Sequence, residues 1–277
     1  EEKLQIKEIK FNSSKSFSRP KRLVFVIDGL PEKIEQKGKN LKGPKVDVPQ
    51  VALDGFIKSN NLSKSDIYKK KIEKGEFYFA NTKPKVINIL QELQHIVPSA
   101  MRDYSWKKSM KWSSYDLNWG RPLRSIIALF NNKVINFDYF HLQSNNLTFV
   151  DGTNGEKQKK VSNFKSYLSI LKSKNIVLDH EKRKEIILKK FRNICNSKKL
   201  KNHFNEQLID EVVNLVEKPN VIMGKFNEIY LKIPQEILIV TMQQHQKYFP
   251  LFDESDRLTN LFLLVANLAD IKGYIKK

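Results

Sequence analysis

The chain has 277 residues, with 50 Lys and Arg against 30 Asp and Glu, a formal net charge of +20 and 40% hydrophobic content. That length can bury a substantial core as one large domain or two smaller ones, and the apolar content excludes a disordered polybasic tail. Cys195 is the single cysteine, which excludes an intrachain disulfide framework, and no apolar run approaches the ~18 residues of a membrane span.

In chain order, residues 22–27 and 76–80 have the β-branched and aromatic content of strands. Residues 85–99 carry the clearest helical pattern. Val86, Ile89, Leu90, Leu93, Ile96 and Val97 form one apolar stripe, with Pro84 before it and Pro98 expected to close it. Residues 123–130 and 133–140 suit a hairpin, because Asn131 and Asn132 can supply the positive φ of a tight turn. Residues 151–155 are expected to form a loop.

Ser162 is placed to cap a helix bearing Phe164, Tyr167, Leu168 and Leu171, and Asp179 to cap a second with Ile186, Ile187, Phe191 and Ile194. A helix over 205–218 follows, then short strands at 221–223 and 229–232 around a turn at Gly224. Pro234 opens a helix that ends near His245, and strands at 247–252 and 258–268 close the chain. The pattern is α+β, with short mixed or antiparallel sheets and amphipathic helices, not the regular βαβ alternation of a doubly wound sheet. Its expected division is an amino-terminal α+β part at 1–100 and a second part at 101–277.

The charge is uneven. Residues 157–201 carry 15 basic and 3 acidic residues, a net of +12, while residues 202–277 have a net of −2. A local excess of this size suits a phosphate-binding face or else a solvated lysine face with no ligand, with Lys182, Arg183, Lys184, Lys189, Lys190 and Arg192 on the surface of the second helix.

The usual catalytic constellations are missing from the sequence. His95, His141, His180, His203 and His245 lie 46, 39, 23 and 42 residues apart, so none has a neighbour at metal-ligand spacing. Gly38 and Gly43 have phosphate-loop spacing, but Pro44 stands where that loop needs Lys. There is no GxSxG elbow, and Asp253, Glu254 and Asp256 suit a polar turn. No catalytic residue and no metal ligand is nominated.

All three tryptophans, Trp106, Trp112 and Trp119, fall within fourteen positions. Flat rings beside Lys107, Lys108, Lys111, Arg121 and Arg124 are what unpaired bases and phosphates require; they are equally what a tryptophan-anchored junction requires. The arginines at the hairpin mouth suit bidentate phosphate or carboxylate contact. His245 and Lys247, at the end of the last helix, either touch RNA or a partner, or satisfy backbone groups at the helix end.

The run Trp106-Lys-Lys-Ser-Met-Lys-Trp112, followed by Trp119-Gly-Arg-Pro-Leu-Arg-Ser-Ile-Ile-Ala-Leu-Phe130, resembles the beta subunit of bacterial heterotetrameric glycyl-tRNA synthetase. Arg19-Pro-Lys-Arg-Leu-Val-Phe25, Lys42-Gly-Pro-Lys45 and Ala52-Leu-Asp-Gly-Phe56 resemble its early segments. Thr241-Met-Gln-Gln-His-Gln-Lys-Tyr-Phe-Pro250 and Val265-Ala-Asn-Leu268 resemble later ones, in colinear order. Two departures accompany the match. Family members are much longer, continuing with a Gly-Asn-Glu-Arg motif and HD-like and anticodon-binding regions. Thr148-Phe-Val-Asp-Gly-Thr153 also stands where the family has a Gly-His-Arg-Phe run.

The resemblance implies a non-catalytic, tRNA-binding chain in an α2β2 assembly with an alpha subunit. That subunit would hold ATP with magnesium, glycine and the adenylate chemistry, leaving no cofactor in this chain. It also implies a fold related to the B3/B4 module of the phenylalanyl-tRNA synthetase beta chain, while the single cysteine and the lack of an apolar membrane run are what suggest a cytoplasmic location without a membrane. The RNA-binding candidates are Lys107, Lys108, Lys111, Trp112, Arg121, Arg124, Lys182, Arg183, Lys189, Lys190, His245 and Lys247. A stand-alone RNA-binding module and an editing-type hydrolase are the alternatives.

Overall fold

Asn88 sets the start of the long helix in the first half of the chain: its side-chain oxygen accepts from the backbone N–H groups of Leu90 and Gln91. Such a cap is worth about 1 kcal/mol. The helix therefore runs Ile89–Asp103, beginning later than the apolar stripe suggests. Lys85–Asn88 instead pairs as a strand with Lys33–Gln36, which leaves Val86 59% exposed. Pro98 does not close the helix but lies inside it, buried there with Ile89, Leu93 and Ile96. The computed structural model describes residues 1–268, apart from 37, 39, 83, 153 and 154. Within them the fold is α+β, built mostly from short antiparallel pairings.

The chain divides into two units that interleave along the sequence. One comprises Glu1–Asn12, Gly29–Pro122 and Ile135–His141; the other comprises Ser13–Asp28, Leu123–Val134 and the chain from Leu142 onward.

The first unit is organised by a three-stranded antiparallel sheet in the order Asn40–Lys45, Gly75–Asn81, Ile67–Ile72. Alternation along its central strand sends Tyr78 and the fully buried Ala80 to one face and Phe77 and Phe79 to the other. The helix Gln50–Ser59 covers the Tyr78 face, where Leu53 and Ile57 line a groove with Ile67 and Tyr78. Gly43 is required there, because a Cβ on it would sit 2.9 Å from the Phe56 ring. The short helix Glu2–Ile6 is fastened to Ile89–Asp103 by Lys3 to Ser99 at 2.9 Å and by the Lys3–Asp103 and Lys7–Glu92 ion pairs.

Two apolar cores are found among the described residues of the second unit. One gathers Val150, Val161, Tyr167, Leu171, Ile176 and Leu178, with Phe17 and Val24 of the antiparallel hairpin Ser13–Arg19 and Arg22–Asp28 packed on it. The other gathers Ile187 and Phe191 with Ile209 and Val213 of the helix Glu206–Leu215 and the sheet residues Val221, Leu251 and Leu263. That sheet is antiparallel, in the order Asn220–Lys225, Leu258–Ala266, Phe249–Phe252.

Several expectations are corrected in this unit. Asn163, not Ser162, caps the helix Phe164–Lys172, accepting from the Ser166 N–H at 2.9 Å. Gly224 is inside a strand, not at a turn: it pairs with Phe262, whose ring would lie 2.4 Å from an added Cβ. Residues 229–232 are not a strand but part of the 3₁₀ turn Glu228–Lys232. The expected loop at 151–155 is largely strand, since Leu147–Gly152 pairs with Gly155–Lys160; residues 153 and 154 lie outside the described residues. The Asn131 and Asn132 turn has positive φ at both residues, joining Leu129–Phe130 to Lys133–Val134, strands much shorter than expected.

Candidate nucleic-acid interface

The helix His180–Lys198 is capped by Asp179, whose carboxylate accepts from the Lys182 N–H at 3.1 Å. Its buried positions are Arg183, Ile187, Phe191 and Cys195, one residue every four. This row packs inward and leaves Lys182, Lys189, Lys190 and Arg192 exposed. Lys184 pairs with Asp210 at 2.7 Å, and that hydrogen bond raises the pKa of its ammonium.

Arg183 is the exception to the expected basic surface. It is fully buried, donating from Nε to the Val213 carbonyl at 3.1 Å and from Nη1 to the carbonyls of Val177 and Leu178 at 3.0 and 2.8 Å. Burial first, and then the nearby Arg19, bring its pKa down to about 10, so it stays charged at neutral pH. Its place four residues before Ile187 is the sequence signal for an inward-facing side chain.

Arg19 and Arg22, at the ends of the paired strands Ser13–Arg19 and Arg22–Asp28, also turn inward. Arg19 donates to the Val177 carbonyl at 2.5 Å and Arg22 to the Phe149 carbonyl at 2.6 Å. The buried Glu217 carboxylate lies 3.7 Å from Arg19 and 3.8 Å from Arg22. Burial lowers the Arg19 pKa, with Glu217 opposing the fall. None of these three residues is among the sequence candidates.

In the first unit, the tryptophans hold one another. Trp106 meets Trp119 edge-on at 5.0 Å and Tyr104 at 4.9 Å, and a Cβ on Gly120 would lie 2.8 Å from the Trp106 ring. Trp112 donates its ring N–H to the Trp119 carbonyl at 2.8 Å, across the pairing of Met110–Lys111 with Asn118–Trp119. Lys111 pairs with Asp116 at 2.8 Å, and its hydrogen bond holds that carboxyl below the usual range. Lys107, Lys108 and Arg121 are exposed.

Arg124 belongs to the second unit, where it pairs with Glu156 at 2.8 Å and lies over the Phe149 ring. His245 is exposed at the end of the π-helical turn Thr241–His245. Lys247 has positive φ and extends its ammonium to Glu211 at 2.9 Å.

The family profile described as "Glycyl-tRNA synthetase beta subunit" matches residues 1–276. The chain belongs to the glycyl-tRNA synthetase beta-subunit family. The "Glycine--tRNA ligase beta subunit" of Rickettsia akari (strain Hartford) is 36% identical over 251 residues, covering 91% of this chain and 38% of that protein. Its counterpart in Rickettsia felis (strain ATCC VR-1525 / URRWXCal2) is 35% identical over 259 residues, 93% of this chain and 39% of that protein. The chain therefore spans under two fifths of the length of these relatives.

Several segments that resemble the glycyl-tRNA synthetase beta subunit act here as packing devices. Arg19 and Arg22 flank Glu217, Gly43 lies under Phe56, and Gly120 lies against Trp106. Among the described residues, no helix is long and apolar enough to cross a membrane, and no group of three His, Cys, Asp or Glu could hold a metal ion.

Proposed function

We propose that this chain is the tRNA-contacting part of a glycyl-tRNA synthetase beta subunit and performs no adenylate chemistry itself. ATP with magnesium and glycine are held by an alpha subunit, in an α2β2 assembly in the cytoplasm. The observation that carries this reading is the family match over residues 1–276. The exposed lysines of His180–Lys198 support it, because closely spaced ammonium groups on one helix suit a phosphate backbone. Exposed Ile229, Tyr230, Leu231, Ile233, Ile237 and Val240 support a subunit contact, since a protein partner covers apolar surface of this kind.

Titrating tRNA(Gly) and an unrelated tRNA against the chain, with and without the alpha subunit, tests the reading. Preference for tRNA(Gly) that strengthens with the alpha subunit is expected. Equal affinity for both RNAs, unchanged by the alpha subunit, would overturn it.

A further inference from the structure

The three-stranded sheet of the first unit has one face covered by the helix Gln50–Ser59 and carries aromatic rings and lysines on the other. Cross-strand pairs place Lys42 and Tyr68 beside Phe79, and Lys45 and Lys70 beside Phe77. The register shift between Lys42 and Lys45 is decisive. Three steps along that strand oppose two on its partner, so both lysines lie on the same face despite their odd spacing. Lys42 sits 3.8 Å from the Phe77 ring centroid, Lys45 5.8 Å from it, and Lys70 5.8 Å from the Phe79 centroid.

Tyr68 stacks on Phe79 at 6.1 Å, and its hydroxyl accepts from the Asn40 amide at 2.7 Å. Lys42, Lys45, Tyr68 and Lys70 are exposed, and Phe77 and Phe79 are half-buried. None of the strand positions paired on this face is acidic.

We infer that this face binds an unpaired segment of RNA, with bases on Phe77, Phe79 and Tyr68 and phosphates on Lys42, Lys45 and Lys70. The choice of RNA rests on the proposed function; the chemistry of the face comes from the sheet. Two rings two residues apart on one strand are separated by about 6.8 Å, which leaves a place for a base on each. The lysines do not block them. An exposed lysine–ring contact favours its closed arrangement by only about two- to fivefold. Stacking of a base on an aromatic ring is worth about five- to 150-fold, so an arriving base displaces the ammonium toward its own phosphate. A duplex hides its base faces and cannot use the rings.

The test uses the full chain and fluorescein-labelled eight-nucleotide RNA strands, U-only and A-only, with a long, blunt, GC-rich RNA duplex that stays paired at assay concentrations as competitor. Phe77→Leu with Phe79→Leu keeps apolar bulk in the sheet, while Lys42→Glu with Lys70→Glu changes only exposed side chains. Each pair of substitutions is expected to weaken single-strand binding at least tenfold, with the melting temperature unchanged in the lysine variant. Strands carrying 5-iodouridine are expected to photocrosslink to the peptide containing Phe77 and Phe79.

Wild-type affinity in the lysine variant, crosslinks confined to other peptides, or duplex competing as well as single strand would each overturn the inference. The outcome is separable from that of the proposed function. Loss of tRNA(Gly) preference with the oligonucleotide results intact removes the synthetase reading and leaves the face a single-strand platform. Retained tRNA(Gly) preference with oligonucleotide binding indifferent to all four substitutions removes this inference alone.

Discussion

Arg183 donates from Nε to the carbonyl oxygen of Val213 at 3.1 Å, so the most basic helix of the chain is pinned to the helix Glu206–Leu215 by one of its own cations. Arg183→Met would leave the carbonyls of Val213, Val177 and Leu178 without this donor and cost about 3 kcal/mol. Lys189→Gln and Lys190→Gln, at exposed positions, are expected to stay within about 0.5 kcal/mol of the wild type. Urea unfolding of the three variants checks the contrast.

Gly224 predicts a second loss of stability. Its strand partner Phe262 has a ring carbon only 2.4 Å from where a Cβ would stand, so Gly224→Ala forces the ring or the strand to move. A cost of about 1–3 kcal/mol is expected in thermal or urea unfolding, as for other overpacked sites.

Periodicity is legible in this sequence; competition between neighbouring residues for the same role is not. The stripe from Val86 to Val97 does mark a helix, but Asn88 offers a better cap than Pro84, and the first turn is strand. Ser162 and Asn163 are both chemically able to cap, and only the backbone geometry selects Asn163. Gly224 reads as a turn because nothing local announces the ring of Phe262, which arrives from far downstream. In the candidate interface, the exposed lysines are legible from charge density. The inward turn of Arg183 has its signal in the four-residue spacing to Ile187, whereas that of Arg19 and Arg22 is not legible, since it depends on Glu217 and on the carbonyls of Val177 and Phe149, all far along the chain.

Cys195 is 7% exposed, and burial raises the pKa of its thiol. The thiolate is the reactive form, so both effects slow its chemistry. Reaction with a disulfide reagent at mildly alkaline pH is expected to be slow in the native chain and fast in denaturant. Rapid native reaction would contradict the packing of the His180–Lys198 helix.

Asp151 pairs with Lys218, whose hydrogen bond holds the carboxyl below its ordinary value of 3.8. A folded pKa below the unfolded one gives stability that is present above the unfolded value and lost as pH falls through the folded value. Asp151→Asn should therefore destabilise at neutral pH and cease to differ from the wild type in strong acid. The carboxylate is about half exposed, so solvent screening keeps the neutral-pH cost below about 1 kcal/mol. Unfolding measured across the acid range checks the sign.

Arg121 and Arg124 stand close in sequence but are not equally available to a phosphate. Arg121 is exposed, whereas Arg124 already pairs with Glu156 at 2.8 Å. A phosphate contact at Arg124 must displace that carboxylate, while one at Arg121 meets no such competitor among the described pairs. If both touch RNA, Arg121→Gln should reduce the slope of log affinity against log salt by about one. Arg124→Gln should reduce it by less, and Glu156→Gln should raise affinity by freeing the guanidinium. Salt titrations of tRNA binding for the three variants separate the contributions; equal slopes for all of them would place the RNA elsewhere on the chain.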